Sequence, residues 1–195
     1  REMGIYKLKK VDMKNLFPIL GMTKVAFIMF ASLITTTQAH VVLETPVVYT
    51  GSYFKAVFKV SHGCDGSPTK QVLIEVPEGF RGAKPMVKPN WEIKAQRNKL
   101  QKPYTSHGKT ISEDVTKIEW RNGNLPSEFY DEFVIVGQAP MAVGQYYWKV
   151  SQICESGKLE WSDVPSEGKT LKDYKNPAVL LKVVADPDDH SQHQH

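Results

Sequence analysis

The chain has 195 residues, 24% of them charged, with two cysteines, six histidines and a formal net charge of +4. That charge is unevenly placed: setting aside the six basic and two acidic groups of residues 1–39 leaves nineteen of each sign. The later part therefore carries no basic stripe of the kind a nucleic-acid surface needs, and its length suits one domain with a substantial core.

The first element is a secretory leader. Lys7, Lys9, Lys10, Lys14 and Lys24 precede an apolar run over 25–34. About ten apolar residues fit a signal-peptide core and fall well short of the ~20 that a membrane-spanning helix requires. Thr37 and Ala39 then place small residues where a signal peptidase reads, so residues 1–39 are expected to be removed by cleavage after Ala39. Met22 offers a second start, since 22–39 is a complete leader by itself. The mature protein is expected to begin at His40 and to reside in the periplasm or outside the cell.

Beyond His40 the chain reads as strands. In "SYFKAVFKVS" Phe54, Ala56, Phe58 and Val60 fall on one face, with Lys55 and Lys59 on the other. That is the period of two of a half-buried strand. "KQVLIEVPEG" repeats it with Val72, Ile74 and Val76 and ends in a turn signal. The polar stretch 98–115 is strand-poor and reads as a long loop or an irregular hairpin. "VTKIEWRNGN" reads as a strand entering an Asn-Gly turn. "EFYDEFVIVG", "GQYYWKVSQIC", "GKLEWSDVP" and "AVLLKVVAD" bring the total to about eight or nine strands, with no sustained helical period. The expected fold is all-β, an immunoglobulin-like antiparallel β-sandwich over 40–185. Cys64 and Cys154 are both in the exported part, where an even count favours a disulfide over a pair of thiolate ligands. Such a bridge closes a long loop, worth about 4–5 kcal/mol in the entropic account. After Ala185 the character changes: "DPDDHSQHQH" (186–195) has nothing to bury and is expected to be a disordered, His-rich tail. Its His190, His193 and His195, with Asp188 and Asp189, offer weak metal capture. The tail has no apolar segment, so no membrane anchor is expected after cleavage.

The candidate chemistry begins at His40. As a first residue it holds a free α-amine, with a pKa near about 8, beside its own imidazole. Amine and Nδ1 close a chelate ring, so one residue supplies two nitrogen donors. Nitrogen donors with a carboxylate suit Cu(II). Glu44 shares the His40 face of a regular strand but lies roughly 13 Å along it, too far without a bend. A partner from a neighbouring strand fits better, and "FYDEFVIV" offers Glu132, preceded by Asp131. Glu132 shares a parity with Val134 and Val136, opposite to Phe133 and Ile135, and alternation turns only one of Asp131 and Glu132 inward.

These residues carry a resemblance. The leader ending in "QAH", then "HVVLE", "GSYFKAVFKVSHGCDGSPT", "VPEGF", "KPNWEI", "LPSEFYDEFVIV" and "LEW" resemble the YcnI-like family of exported copper-binding domains, over nearly all of the chain from His40 to about Val184. The resemblance implies a Cu(II) site of single-histidine-brace type. His40 would give amine and Nδ1, Glu132 a carboxylate, and Trp161 would pack close to the metal. Without the resemblance, Trp161 reads as a core aromatic. The family's carboxylate seven positions after its histidine is absent: Val47 stands there, with Glu44 nearby as a possible additional ligand.

The function implied is an exported Cu(II)-binding protein for copper trafficking or homeostasis, not an enzyme. Its expected partner is a membrane copper transporter or another periplasmic copper protein. Two rivals stand beside it. A copper-dependent oxidative enzyme would need a second histidine at the metal, for which His62 and His107 are the candidates in the folded part. A metal-free binding or adhesion module would rely on strand-edge aromatics such as Tyr146 and Tyr147.

Overall fold

The structure is a computed structural model that describes residues 40–187. The leader 1–39 and the tail histidines His190, His193 and His195 lie outside the described residues. The described part folds as two packed β-sheets. The first is four-stranded, in the order β1 (Val42–Leu43), β3 (Tyr53–Val60), β8 (Asp131–Gln138), β5 (Arg81–Pro85). The second runs β2 (Val47–Tyr49), β11 (Val179–Val184), β9 (Gly144–Cys154), β4 (Thr69–Glu75), β7 (Lys109–Arg121), β6 (Glu92–Ser106), with β10 (Lys158–Trp161) paired to β9. All pairs are antiparallel except β2 with β11. This is the expected immunoglobulin-like sandwich, with one parallel pair at its edge and a single short 3-10 turn, Leu171–Asp173, among the described residues.

Alternation explains most of the core. Phe54, Ala56, Phe58 and Val60 from β3 meet Val72 and Ile74 from β4, and all belong to one buried cluster. Phe58 and Phe80 each meet the Trp148 ring edge-on, at 5.2 and 4.9 Å between centroids. Trp120 and Trp91 do the same to Phe133 at 5.4 and 5.1 Å. These T-shaped contacts align ring edges with π-faces and add to the area they bury. Trp91 packs so closely on Gly123 that a Cβ there would lie 2.2 Å from its ring.

Two expectations need correction, and one open choice is decided. Val57, which alternation sends to the outer face of β3, is buried together with its cross-strand partner Val134, outside the main core cluster. Of the two readings of 98–115, the irregular hairpin is the one observed, formed by β6 and β7 with register shifts at Gln96/Arg97 and Lys99/Tyr104, although the stretch is mostly strand rather than strand-poor. His107 and Gly108 form its two-residue turn with positive φ values of 48° and 72°, the backbone geometry that matches strand twist in tight hairpins. The Asn122-Gly123 pair does not close a hairpin. Asn122 is left-handed (φ 59°), and the chain then bridges Leu125 to Thr69 before crossing to β8.

Cys64 and Cys154 form a disulfide with Cα atoms 6.0 Å apart. The loop it anchors is held from inside by the fully buried Gln152, whose Nε2 donates to the His62 carbonyl and to Thr69 Oγ1, both at 2.6 Å.

Candidate metal centre

His40 is exposed at the head of the domain, directly before β1. Val41 and Leu43 turn into the core, whereas His40, Val42 and Glu44 are exposed. That alternation puts the three exposed residues on the outer face of the four-stranded sheet. Registration then extends the face across two more strands: Val42 pairs with Lys59, and Lys59 with Glu132. Phe133 and Ile135 are fully buried, so Glu132, Val134 and Val136 face outward, as their parity requires. His40 and Glu132 therefore share one face and one end of the sheet. They are two strands and two residues apart, about 12 Å between Cα atoms at ordinary sheet spacings.

The other acidic residue of the pair has a different occupation. Asp131 Oδ1 accepts from Lys88 Nζ at 2.6 Å, in an ion pair whose lysine side chain is only 12% exposed. The same ammonium donates to the Glu132 carbonyl at 3.0 Å and lies 4.9 Å from the centre of the Phe133 ring. Asp131 thus fixes the start of β8, leaving Glu132 as the outward carboxylate. Glu44 meets Lys59 Nζ at 3.4 Å, with both side chains well exposed. Val47 is exposed on β2, where it pairs in parallel with Lys182.

Trp161 is 4% exposed and sits in the core cluster that also contains Val41 and Leu43. Its strand β10 brings it opposite Val150 of β9. The structure thus places it in the core. Trp120 and Trp148 are fully buried. The rival candidates are dispersed. His62 Nδ1 is 2.6 Å from the Gly63 carbonyl, and His107 is at the hairpin tip of the larger sheet. Tyr146 and Tyr147 lie in β9, paired on one side to β11, while β4 pairs with β9 only from Lys149 onward; their hydroxyls meet the Ala142 carbonyl and Gln145 Oε1.

Among the described residues no group of three or more His, Cys, Asp or Glu side chains is close enough to hold a metal ion. A brace needs fewer side chains, because its third donor is the α-amine of His40. In the uncut chain that nitrogen is an amide, so this donor exists only after cleavage. An exposed imidazole, a terminal amine and an outward carboxylate on one face are a nitrogen–oxygen donor set that fits Cu(II).

Sequence reasoning missed a second polar cluster at the opposite end of the sandwich. Asp114, 3% exposed, accepts from the Gly82 N–H and the Tyr104 hydroxyl, both at 2.7 Å. Tyr104 in turn lies under the Arg81 guanidinium, 4.6 Å from ring centre. Burial, then the hydrogen bond to Asp114, pushes the Tyr104 hydroxyl up to about 12. Tyr104 and Arg81 line a cleft of about 380 Å³ with Glu78, Lys102, Pro140 and Tyr146. The only signal for it in the sequence was an aspartate inside the polar stretch, which has no local pattern to mark it as buried.

The fold and face just described define a class: an immunoglobulin-like β-sandwich, stapled by one disulfide, with a histidine at its head and a carboxylate on the neighbouring outer face. The chain belongs to the family described as Domain of unknown function (DUF1775), whose match covers residues 40–183, and this is the family that contains the YcnI-like proteins. The match begins at His40. A solved structure of an uncharacterized protein from Nocardia farcinica, described as having an immunoglobulin-like fold, is 21% identical with a TM-score of 0.57, covering 75% of this chain and 99% of that one. At that identity the likeness shows the fold alone. A non-cellulosomal cohesin from the hyperthermophilic archaeon Archaeoglobus fulgidus also aligns, at 10% identity and a TM-score of 0.38, covering 82% of this chain and 100% of that one. Among curated proteins no match is found.

Proposed function

We propose that the protein is exported, is cut after Ala39, and binds one Cu(II) through the α-amine and Nδ1 of His40 and the carboxylate of Glu132. The observation that supports this most strongly is that His40 and Glu132 share the outer face and one end of the four-stranded sheet. When bound, copper would supply a charge to be stored and passed on, and the residues need only capture and release it. The rigid sheet sets the Glu132 position, with Asp131 and Lys88 pinning the first residues of β8. The role is copper trafficking or homeostasis in the periplasm, with hand-over to or from a membrane copper transporter or another periplasmic copper protein, and no catalytic turnover.

Carboxylate substitution tests the ligand assignment. Glu132→Gln in the mature protein is expected to weaken Cu(II) binding at least about tenfold, the scale on which losing a metal-site partner is felt. Glu44→Gln is expected to leave it within a few-fold. Equal affinities for Glu132→Gln and the unsubstituted protein would remove Glu132 from the site.

A further inference from the structure

We infer that Lys59, held by Glu44, is a resident cation of this face whose charge weakens the binding of copper beside it. The inference rests on the Cu(II) reading above and deepens it. Lys59 sits between the two candidate elements: its Cα partners are Val42 on one side and Glu132 on the other. Its ammonium reaches Glu44 Oε1 at 3.4 Å, with side chains 36% and 50% exposed. Directly paired residues of adjacent strands are about 4.5–5.5 Å apart between Cα atoms, so the Lys59 stem rises beside the Glu132 side chain. Lys88, a second ammonium of this sheet end, is committed to Asp131 at 2.6 Å and to the Glu132 carbonyl, and is largely buried. Lys55 lies two rows further along β3, paired with Val136. Lys59 is therefore the ammonium placed in the row that Glu132 occupies, between it and the His40 strand.

The consequence is electrostatic competition. Glu44 holds the Lys59 ammonium on this face, in the row that Glu132 occupies. A divalent ion arriving between His40 and Glu132 meets that ammonium at close range. A unit charge about 8 Å from a divalent ion at an exposed, high-dielectric site changes affinity by about three- to tenfold. Lys59 thus lowers the affinity of the site and favours release, which suits a carrier better than a store.

The test uses the mature chain beginning at His40, with the tail intact except for serine in place of His190, His193 and His195. Cu(II) affinity is measured by competition with a chromophoric chelator for the parent, Lys59→Met, Lys59→Arg and Lys182→Met, the last on β11 of the other sheet. Lys59→Met keeps the apolar stem and removes the charge; it is expected to bind about three- to tenfold more tightly. That gain should shrink in 1 M salt, where the screening length falls to about 3 Å. Lys59→Arg and Lys182→Met are expected to match the parent. If the parent's binding depends on a free His40 amine while Lys59→Met binds no more tightly, the role assigned to Lys59 is wrong and the copper reading stands. If the parent's binding is indifferent to the amine, both are overturned.

Discussion

At the scale of single residues, Asp114 and Tyr104 show how a buried polar pair is held and how it responds to pH. The Tyr104 hydroxyl is raised from 10.0 to about 12, chiefly by burial and then by its hydrogen bond to Asp114. A raised folded value means that the neutral hydroxyl stabilises the native state. That contribution is complete below pH 10 and is lost as pH rises from 10 through about 12. An ultraviolet tyrosinate titration should show one of the eight tyrosines ionising about two units late, and Asp114→Ala should return it towards the others. The same substitution orphans the Gly82 N–H and the Tyr104 hydroxyl and is expected to lower stability by about 3 kcal/mol in urea unfolding. Tyr104 titrating with the other tyrosines in the parent protein would contradict this account. The residue-level geometry of the face that holds His40 and Glu132 was partly readable. Parity alone set Glu132 apart from Asp131, on one face with Val134 and Val136, but did not say which face is the outer one. The link between Lys59 and Glu132 was not readable, because pairing between strands more than seventy positions apart is settled by tertiary packing rather than by local pattern.

At the scale of elements, β3, β4 and β9 were legible because one face of each meets the core and the other meets solvent or polar neighbours. Hairpin β6–β7 was legible only as one of two readings, a loop or an irregular hairpin. Most of its residues from Lys94 to Glu113 are exposed on both faces, so no period of two survives for a reader to find. Val57 escaped for the opposite reason: it is buried on the face where alternation predicts exposure, beside Val134. The link after β7 also depends on a contact with no local signal. Trp91 occupies the space a Cβ at Gly123 would need. Gly123→Ala is therefore expected to destabilise the domain by about 1–3 kcal/mol, the usual effect of overpacking a rigid ring. Trp91 fluorescence should shift with it. An alanine variant as stable as the parent would show that the Trp91 ring can move aside.

At the scale of the whole molecule, two sheets are tied at one end by the Cys64–Cys154 bridge, across a sequence separation of 90. The bridge joins the loop after β3, a strand of the first sheet, to the end of β9 in the second. Replacing both cysteines by serine is expected to cost about 2–5 kcal/mol, read as a fall in the thermal midpoint, with the larger part arising from the freer unfolded chain. A midpoint unchanged within a degree would mean that the Gln152 contacts alone hold that loop. The sandwich itself followed from strand count, turn spacing and the missing helical period. Which end of it carries the chemistry did not, because that required knowing that β1, β3 and β8 lie side by side.

The central claim is that the cut after Ala39 creates the metal site. Two preparations differ by one residue: one begins at His40 with a free amine, the other retains Ala39 in front of it, and both carry serine in place of the three tail histidines. Cu(II) is titrated into each and followed by electron paramagnetic resonance. The account predicts one tight equivalent with nitrogen coupling in the first preparation and its loss in the second. Equal binding by both, or binding by neither, would make His40 an ordinary first residue and the account wrong.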